Sequence, residues 1–313
     1  MQNPQSPPPP RQTQSFLRDL FRQHGLVPKK ALGQNFLIDI NLVDLVVKSG
    51  ELDASDLVLE VGTGTGSLTS RLAQQAGAVL TVEIDHAFHQ LAKEASNEPE
   101  HVCFFQGDVL KNKNTINPEV FKALDQLEAR IPTKRRKLIA NLPYAVATPV
   151  ISNLLMGERP WERMVVMVQW EIADKMLAQP GTKEYGALAI LVQSLAEVEI
   201  LRRLPPEVFW PRPAVDSGII RIKPSLAKRA LIPDIYRFRI FLRDLYAHRR
   251  KNLRGGLVSI PATGGDKGFV DDVLARLGYT GQERAETFTP AQHLVLCEAI
   301  MGGKAHDEAL RQL

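Results

Sequence analysis

The feature that most constrains the fold is a short apolar run that leads directly into a glycine-rich turn. Residues 57–61 are followed by Gly62-Thr63-Gly64-Thr65-Gly66, and apolar residues at helical spacing come after the turn. Strand, glycine-rich turn and helix form the first unit of a nucleotide-binding α/β sheet. Because glycine has no Cβ atom, the backbone of such a turn can approach a ligand closely. We therefore predict an α/β fold that binds a ligand at Gly62 and Gly64.

Further apolar runs are predicted to complete the sheet. They cover residues 78–82, 102–105, 138–140, 164–168, 198–203 and 218–222. Polar residues follow the first three of these runs, at Glu83, Asp108 and Asn141. Ligands of open α/β sheets bind outside the carboxyl ends of the strands, so we expect these three side chains to share one site.

The ligand predicted for this site is an adenosine without phosphates. No Lys-Ser or Lys-Thr pair follows the glycines, which disfavours a phosphate-binding loop. Glu83 lies about 20 residues past the first glycine, where a carboxylate typically accepts hydrogen bonds from ribose hydroxyl groups. Asp108 is expected to accept a hydrogen bond from the adenine amino group. S-adenosylmethionine fits this pattern, and we predict it as the cofactor, with S-adenosylhomocysteine as its product.

The segment Asn141-Leu142-Pro143-Tyr144 is the candidate catalytic element. Taken alone, these residues are more typical of a turn with a core tyrosine, and the neighbouring strand ends favour a site. The Asn141 amide oxygen and the Pro143 carbonyl can accept both N–H bonds of an adenine amino group, which would hold its nitrogen pyramidal with the lone pair directed at a methyl group. Tyr144 is predicted to stack on the base. Phe209, in a segment stiffened by prolines, is predicted to close the other face.

Composition limits the class of protein. The chain has 313 residues, 44% of them hydrophobic, which suits two domains with full cores. A net charge of +4 permits a polyanionic partner. Cys103 and Cys297 have no metal or redox spacing and are predicted to be core thiols of a reducing cytoplasm. There is no apolar run of membrane-spanning length and no signal peptide, so we predict a cytoplasmic protein without a membrane partner.

Other kinds of chemistry are not indicated by the sequence. It contains no recognisable Ser-His-Asp triad, paired-carboxylate arrangement or metal-ligand spacing, so we predict neither hydrolysis nor a metal cofactor.

The chain is predicted to divide into four parts. Residues 1–28 are a disordered proline-rich tail and a short helix, capped by Ser15, that packs on the main domain. Residues 29–223 form the catalytic domain, 224–233 a linker, and 234–313 a helical C-terminal domain. The last part carries a basic cluster that suggests RNA contact, with a solvated helix face as the alternative. The cluster consists of Arg243, His248, Arg249, Arg250, Lys251 and Arg254. For the basic run at 134–137, a solvated edge is slightly favoured over RNA contact.

Together, these motifs resemble those of the ribosomal RNA adenine N6,N6-dimethyltransferases. The matching segments lie in family order between residues 29 and 301. They are 33–37, 60–69, 82–85, 107–109, 141–144, 209–217, 249–251 and 284–286. The combination of Gly-Gln-Asn-Phe-Leu, Asn-Leu-Pro-Tyr and Phe-x-Pro-x-Pro-x-Val-x-Ser is highly specific to this family.

The resemblance implies a Rossmann-like class I methyltransferase sheet of seven strands with a small all-helical C-terminal domain. It implies that the substrate is 16S rRNA in the maturing small ribosomal subunit, where two adjacent adenosines near the 3′ end are each methylated twice. We expect the enzyme to act as a monomer. The contacts implied for S-adenosylmethionine, together with their motif neighbours, are Gln34, Asn35, Leu37, Gly62, Gly64, Glu83, Asp108, Val109 and Asn141.

Two alternatives stay open at this point. A related enzyme class methylates a single adenine of 23S rRNA and confers macrolide resistance, but the basic helical C-terminal part is more similar to the small-subunit enzymes. A non-catalytic RNA-binding assembly factor would not need Glu83, Asp108 and residues 141–144. Three features depart from the family pattern: the proline-rich tail, the 118–136 insertion, and Trp170, where relatives more often carry lysine. They leave open which residues contact the substrate.

Overall fold

The computed structural model describes residues 12–29, 32–96 and 98–302. The predicted disorder of the first residues concerns a segment that lies largely outside this range. The strands are β1 (Phe36–Leu37), β2 (Asp56–Val61), β3 (Ala78–Glu83), β4 (Val102–Gln106), β5 (Leu110–Asn112), β6 (Thr115–Ile116), β7 (Arg135–Asn141), β8 (Arg163–Gln169), β9 (Ala196–Leu204), β10 (Phe209–Trp210) and β11 (Ser217–Pro224).

The α-helices fall between these strands and make up most of the chain after β11. They are α1 (Gln14–Gln23), α2 (Ile40–Ser49), α3 (Ser67–Gln75), α4 (His86–Ser96), α5 (Pro118–Arg130), α6 (Tyr144–Met156), α7 (Trp170–Leu177), α8 (Ala187–Gln193), α9 (Leu226–Ala230), α10 (Ile235–Ala247), α11 (Leu253–Val258), α12 (Lys267–Leu277) and α13 (Pro290–Met301). Within the described residues, no helix combines the length and the apolar character needed to cross a membrane.

The central sheet has seven strands in the order β4-β3-β2-β7-β8-β11-β9, which confirms the expected architecture. Strands β4, β3, β2, β7 and β8 are parallel, and β11 runs antiparallel to β8. The strand order reverses at β2, which has β3 on one side and β7 on the other. In such sheets the crevice for a ligand opens at this reversal, outside the carboxyl ends of the strands.

The central strands are buried on both faces, and their sequences show it. Every residue of β2 and β3 is buried. A parallel strand that is covered by helices on both faces reads as a nearly continuous apolar run rather than an alternating one. This is why residues 57–61 and 78–82 are recognisable as strands without any structural information.

Helix α1 packs on the sheet-containing part of the molecule, as predicted. The predicted cap at Ser15 is wrong, because the oxygen that accepts from the Phe16 amide is Thr13 Oγ1, at 3.3 Å. Leu17 and Phe21 are buried in a cluster with aromatic side chains. The centroid of the Phe21 ring lies 5.2 Å from that of Phe36, in an edge-to-face arrangement that aromatic pairs prefer.

The basic run at 134–137 is not a solvated edge, because most of it belongs to β7. Lys137 is 1% exposed, and its Nζ donates to Asp56 Oδ2 at 3.1 Å. It also donates to the carbonyls of Gly50 at 3.0 Å and Glu51 at 2.7 Å. A buried ammonium group is tolerated only with such partners. The favoured interpretation was wrong here because Asp56, the partner of Lys137, is distant in the sequence.

The chain forms two compact units. The first runs to Ala173 and includes Glu199–Pro224, and the second consists of Asp174–Val198 and the chain from Ser225 onward. The second unit is helical and contains α8, which packs against α10 and α13. The Tyr185 hydroxyl, just before α8, donates to the Phe288 carbonyl at 2.8 Å. The segment predicted as a linker contains α9.

Candidate donor and base site

A cleft opens at the carboxyl ends of β2, β3 and β7, where the strand order reverses. Together with the adjoining space open to solvent, it encloses about 840 Å³. Most of the predicted site residues line it. They are Gln34, Asn35, Leu37, Gly62, Gly64, Glu83, Asn141, Pro143 and Tyr144.

Three sequence motifs meet in this cleft because glycines let them come close. Gly62 has φ +87°, and a Cβ atom there would lie 3.2 Å from Pro143 Cδ. Gly33 has φ +65°, and its Cβ would lie 3.4 Å from the Tyr144 backbone nitrogen. A larger residue at either position would be strained in φ, and at Gly62 it would also crowd the Pro143 ring. The glycine-rich turn and the 33–37 loop therefore both pack directly against the candidate catalytic element.

Glu83 ends β3 and faces the glycine-rich turn. Its Oε2 accepts from the Gly64 amide at 2.9 Å, and its Oε1 accepts from the Asp85 amide at 2.9 Å. Burial raises the pKa of Glu83, and these backbone amides oppose the rise. A carboxylate has about four acceptor positions, so two hydrogen bonds leave capacity for a ligand.

Gln34 and the loop that carries it are tied to the same edge. The Gln34 amide oxygen accepts from the Lys29 backbone N–H at 2.6 Å, and its Nε2 donates to Asp85 Oδ2 at 3.3 Å. Lys29 Nζ also contacts Asp85, at 2.7 Å. These bonds hold the loop next to Glu83 and keep Gln34 engaged with the protein itself.

Glu60 is a cleft residue to which the sequence analysis assigned no role. Its side chain is fully buried, and Thr69 Oγ1 donates to its Oε2 at 2.6 Å. Its Oε1 has no hydrogen-bond partner among the described residues. Burial raises the pKa of Glu60 to about 8. The available signal was an acidic residue inside the apolar run 57–61, two positions before Gly62.

Asn141 ends β7 with its amide fixed on one side. Asn141 Nδ2 donates to the Asn35 carbonyl at 3.0 Å, so Oδ1 is directed away from that bond and is available as an acceptor. The Pro143 carbonyl accepts from the Val146 amide at 3.0 Å, in the first turn of α6. Leu142 also lines the cleft, and its carbonyl accepts no hydrogen bond from the described residues. Leu142 is therefore a second backbone candidate that the sequence analysis missed.

Tyr144 begins α6 and lies at the rim of the cleft. Its hydroxyl is hydrogen-bonded to Ser217 Oγ, at 2.8 Å, where β11 starts. Burial raises the pKa of Tyr144, so the phenol is neutral near pH 7. The bond to Ser217 fixes the ring beside Asn141.

Three predicted site residues do not line the cleft. Phe209 is 3% exposed, lies opposite Leu37 in the β1–β10 pair and belongs to the hydrophobic core, so its ring has no face open to a base. Asp108 is exposed beyond β4, and its Oδ1 accepts from the Leu110 amide at 2.9 Å. Val109 is buried. The burial of Phe209 comes from pairing with a strand far away in the sequence, which the local pattern does not indicate.

Comparison with known proteins gives the family. Residues 26–293 match the family model described as Ribosomal RNA adenine dimethylase. The chain belongs to this family. The ribosomal RNA adenine dimethylases are methyltransferases, so the match agrees with the predicted enzyme class and with the use of S-adenosylmethionine. Among the described residues, no group of three or more His, Cys, Asp or Glu side chains is arranged to hold a metal ion.

Two relatives support this assignment. The chain is 36% identical over 289 residues to Ribosomal RNA small subunit methyltransferase A of Pelotomaculum thermopropionicum, covering 92% of this chain and 96% of the relative. It is 37% identical over 283 residues to the protein of the same name from Halothermothrix orenii, covering 90% and 91%.

Two crystal structures have the same fold as this chain. A dimethyladenosine transferase from Plasmodium falciparum aligns with a TM-score of 0.67 at 24% identity, covering 82% of this chain and 94% of that one. The 23S rRNA methyltransferase ErmE aligns with a TM-score of 0.58 at 23% identity, covering 85% and 99%. At these identities the likeness concerns the fold alone.

Proposed function

We propose that this protein transfers methyl groups from S-adenosylmethionine to N6 of two adjacent adenosines near the 3′ end of 16S rRNA in the maturing small ribosomal subunit. The family and the name shared by the relatives support this substrate. The observation that carries the chemistry is the Asn141 amide, which is anchored through Nδ2 and leaves Oδ1 available beside the cleft. Each adenosine would receive two methyl groups.

The residues of the cleft fit this donor. Gly64 lines the cleft and leaves room for the Phe36 ring, because a Cβ atom there would lie 3.0 Å from Phe36 Cε1. The remaining acceptor capacity of Glu83 suits a ligand with hydroxyl groups, and the buried carboxyl of Glu60 offers Oε1, which has no hydrogen-bond partner among the described residues. When bound, S-adenosylmethionine supplies a methyl group activated by its sulfonium charge. Asp108, which follows β4 at the same edge, is proposed to accept from the adenine amino group of the donor, with Val109 beside it.

For the target adenine, orientation of the amino group matters more than a general base that removes its proton. Asn141 Oδ1 and a backbone carbonyl of residue 142 or 143 would accept its two N–H bonds. The nitrogen lone pair then points at the donor side of the cleft, and orientation of this kind is a large part of catalysis. The amine loses a proton only after it has become cationic, so no strong base is required. Leu142 is the less encumbered of the two carbonyls, because that of Pro143 already accepts from Val146.

Tyr144 is proposed to stack on the target base, since its ring borders the cleft and its hydroxyl is fixed by Ser217. Phe209 is assigned a different role from the one first predicted. It packs opposite Leu37 and is proposed to support the loop that borders the donor. The helical unit with Arg249, Arg250 and Lys251 is proposed to contact RNA, and the enzyme is proposed to act as a cytoplasmic monomer without a membrane partner.

Primer extension by reverse transcriptase tests the substrate. Unmethylated small subunits are incubated with the protein and S-adenosylmethionine, and a parallel sample receives S-adenosylhomocysteine instead. Dimethylated adenine cannot pair, so we expect reverse transcription to stop at the two adenosines only in the first sample. A lack of stops in small-subunit RNA, or stops confined to large-subunit RNA, overturns the proposal.

A further inference from the structure

The carboxyl edge of the sheet continues past the proposed base site, on the side away from the donor. In the strand order, β3 and β2 carry the donor cleft, β7 carries Asn141, and β8 and β11 follow. Ser217, which holds the Tyr144 hydroxyl, is the register partner of Gln169 at the end of β8. The next residue, Trp170, donates its backbone N–H to the Asp216 carbonyl at 2.9 Å. The surface around Trp170 is therefore adjacent to the proposed base site.

An arginine on this surface lies over the Trp170 ring. The guanidinium carbon of Arg203, at the end of β9, lies 4.4 Å from the centroid of the Trp170 ring. Arg203 Nε donates to Asp216 Oδ2 at 2.7 Å. The Arg203 side chain nevertheless remains 58% exposed. Its guanidinium group is thus held between an aromatic ring and a carboxylate, while much of the side chain faces solvent.

Stabilisation alone is a weak explanation for this arrangement. An exposed ion pair between single charged side chains adds little stability, since solvent screens it and a long side chain has to be ordered. What the arrangement does achieve is positioning, because the Trp170 ring and the Asp216 carboxylate together hold an exposed guanidinium group in one place. Planar arginine groups of this kind stack on unpaired RNA bases, a mode of contact that lysine does not offer.

We propose that Arg203 stacks on the RNA base next to the target adenosine, and that Trp170 and Asp216 are its positioning residues. The inference rests on the proposed function, in which one adenosine occupies the site beside Tyr144. Trp170 and Arg203 lie on the side of Asn141 away from the donor, so an adjacent nucleotide that leaves the site on this side meets Arg203. Arg203, supported by Trp170, thus makes a second base contact in addition to that of Tyr144. The base contacted is that of the nucleotide next to the one being methylated.

The test compares Arg203→Ala with Arg202→Ala. Arg202 is the exposed neighbour on the same strand, and because side chains alternate between the faces of a strand, its removal makes the same charge change on the opposite face. We expect Arg203→Ala to raise KM for small subunits about tenfold, as for the loss of one stacked base, with kcat changed less. Arg202→Ala should change KM by less than about twofold, because it removes charge without removing the stacked plane.

Two further measurements keep the result specific. Arg203→Lys retains the charge but not the plane, so stacking predicts that KM stays raised, and full recovery with lysine overturns the proposal. Binding of S-adenosylhomocysteine and the thermal unfolding midpoint should be the same in the wild type, Arg203→Ala and Arg202→Ala. If the wild type produces no stops in small-subunit RNA, the proposed function fails. If it produces them and Arg203→Ala has an unchanged KM, this inference alone fails.

Discussion

At the scale of single residues, Asn141 carries the proposed chemistry most directly. We predict that Asn141→Ala slows methyl transfer by about 10²-fold or more, the effect of removing one preorganised hydrogen-bonding group from an active site. Single-turnover rates measure this loss, and calorimetric titration with S-adenosylhomocysteine checks that donor binding changes much less. Asn141→Asp retains an acceptor oxygen but loses the bond to the Asn35 carbonyl, so its rate should lie between those of the wild type and the alanine variant. Full turnover by Asn141→Ala would remove this residue from the mechanism.

Glu60 should make stability depend on pH. Burial raises its pKa from 4.5 to about 8, so folding favours the protonated carboxyl. The stability that Glu60 contributes is therefore fully present below pH 4.5 and is lost as the pH rises towards 8. Glu60→Gln cannot ionise and should lose less stability over that interval. We expect the difference in the free energy of unfolding, Glu60→Gln minus wild type, to increase by on the order of 1 kcal/mol for each pH unit between 4.5 and 8.

Urea unfolding of the donor-free protein at several pH values between 5 and 8 measures this difference, at a precision of about 0.5 kcal/mol. Glu94→Gln is the matched control, because Glu94 is exposed on α4 and the same chemical change there should leave the pH dependence as in the wild type. Parallel curves for the wild type and Glu60→Gln would show that Glu60 is already ionised in the folded protein.

At the scale of elements, sequence predicts best where local pattern and tertiary environment agree. Strands β2 and β3 are recognisable because both faces are buried, and the glycine-rich turn because its backbone geometry needs glycine. The start of β7 was missed because a buried lysine is acceptable only beside Asp56, which the local sequence does not reveal. Phe209 was predicted at the site from its proline-rich segment, whereas pairing with β1 buries it.

Helix α1 offers a matched test of packing. Phe21 is 3% exposed and lies at ring distances of 5.2 Å from Phe36 and 5.3 Å from Phe88. We predict that Phe21→Ala lowers the free energy of unfolding by about 3–5 kcal/mol, as is typical for a buried aromatic residue. Phe16→Ala is the same change at a partly buried position of the same helix and should cost clearly less. Equal losses measured by chemical denaturation would mean that α1 is not anchored through Phe21.

At the scale of the whole molecule, the helical unit is not continuous in the sequence. It takes in Asp174–Val198 as well as the chain from Ser225 onward, and α8 supplies the buried residues Ala189, Ile190 and Val192. Sequence alone placed these residues in the catalytic domain because they precede the last strands. A short apolar helix joins the unit whose surfaces it packs against. For α8 these are the surfaces of α10 and α13, which are distant in the sequence and cannot be inferred from residues 187–193.

We predict that a fragment starting at residue 225 lacks a cooperative thermal transition, because the surfaces of α10 and α13 that pack on α8 become exposed to water. Joining residues 174–198 to residue 225 through a flexible linker should restore the transition, as followed by circular dichroism. If the fragment from residue 225 melts as cooperatively as the joined version, α8 is dispensable to the helical unit.

Helix α1 also shows that the start of a family match and the start of a folded unit need not coincide. The family match begins at residue 26, while α1 ends at Gln23 and covers the rings of Phe36 and Trp210. A chain that starts at residue 26 would keep every recognisable motif and still expose the aromatic rings of Phe36 and Trp210 beside the 33–37 loop. Such a trimmed protein would be prone to self-association, and its weakness would arise from residues that no motif records.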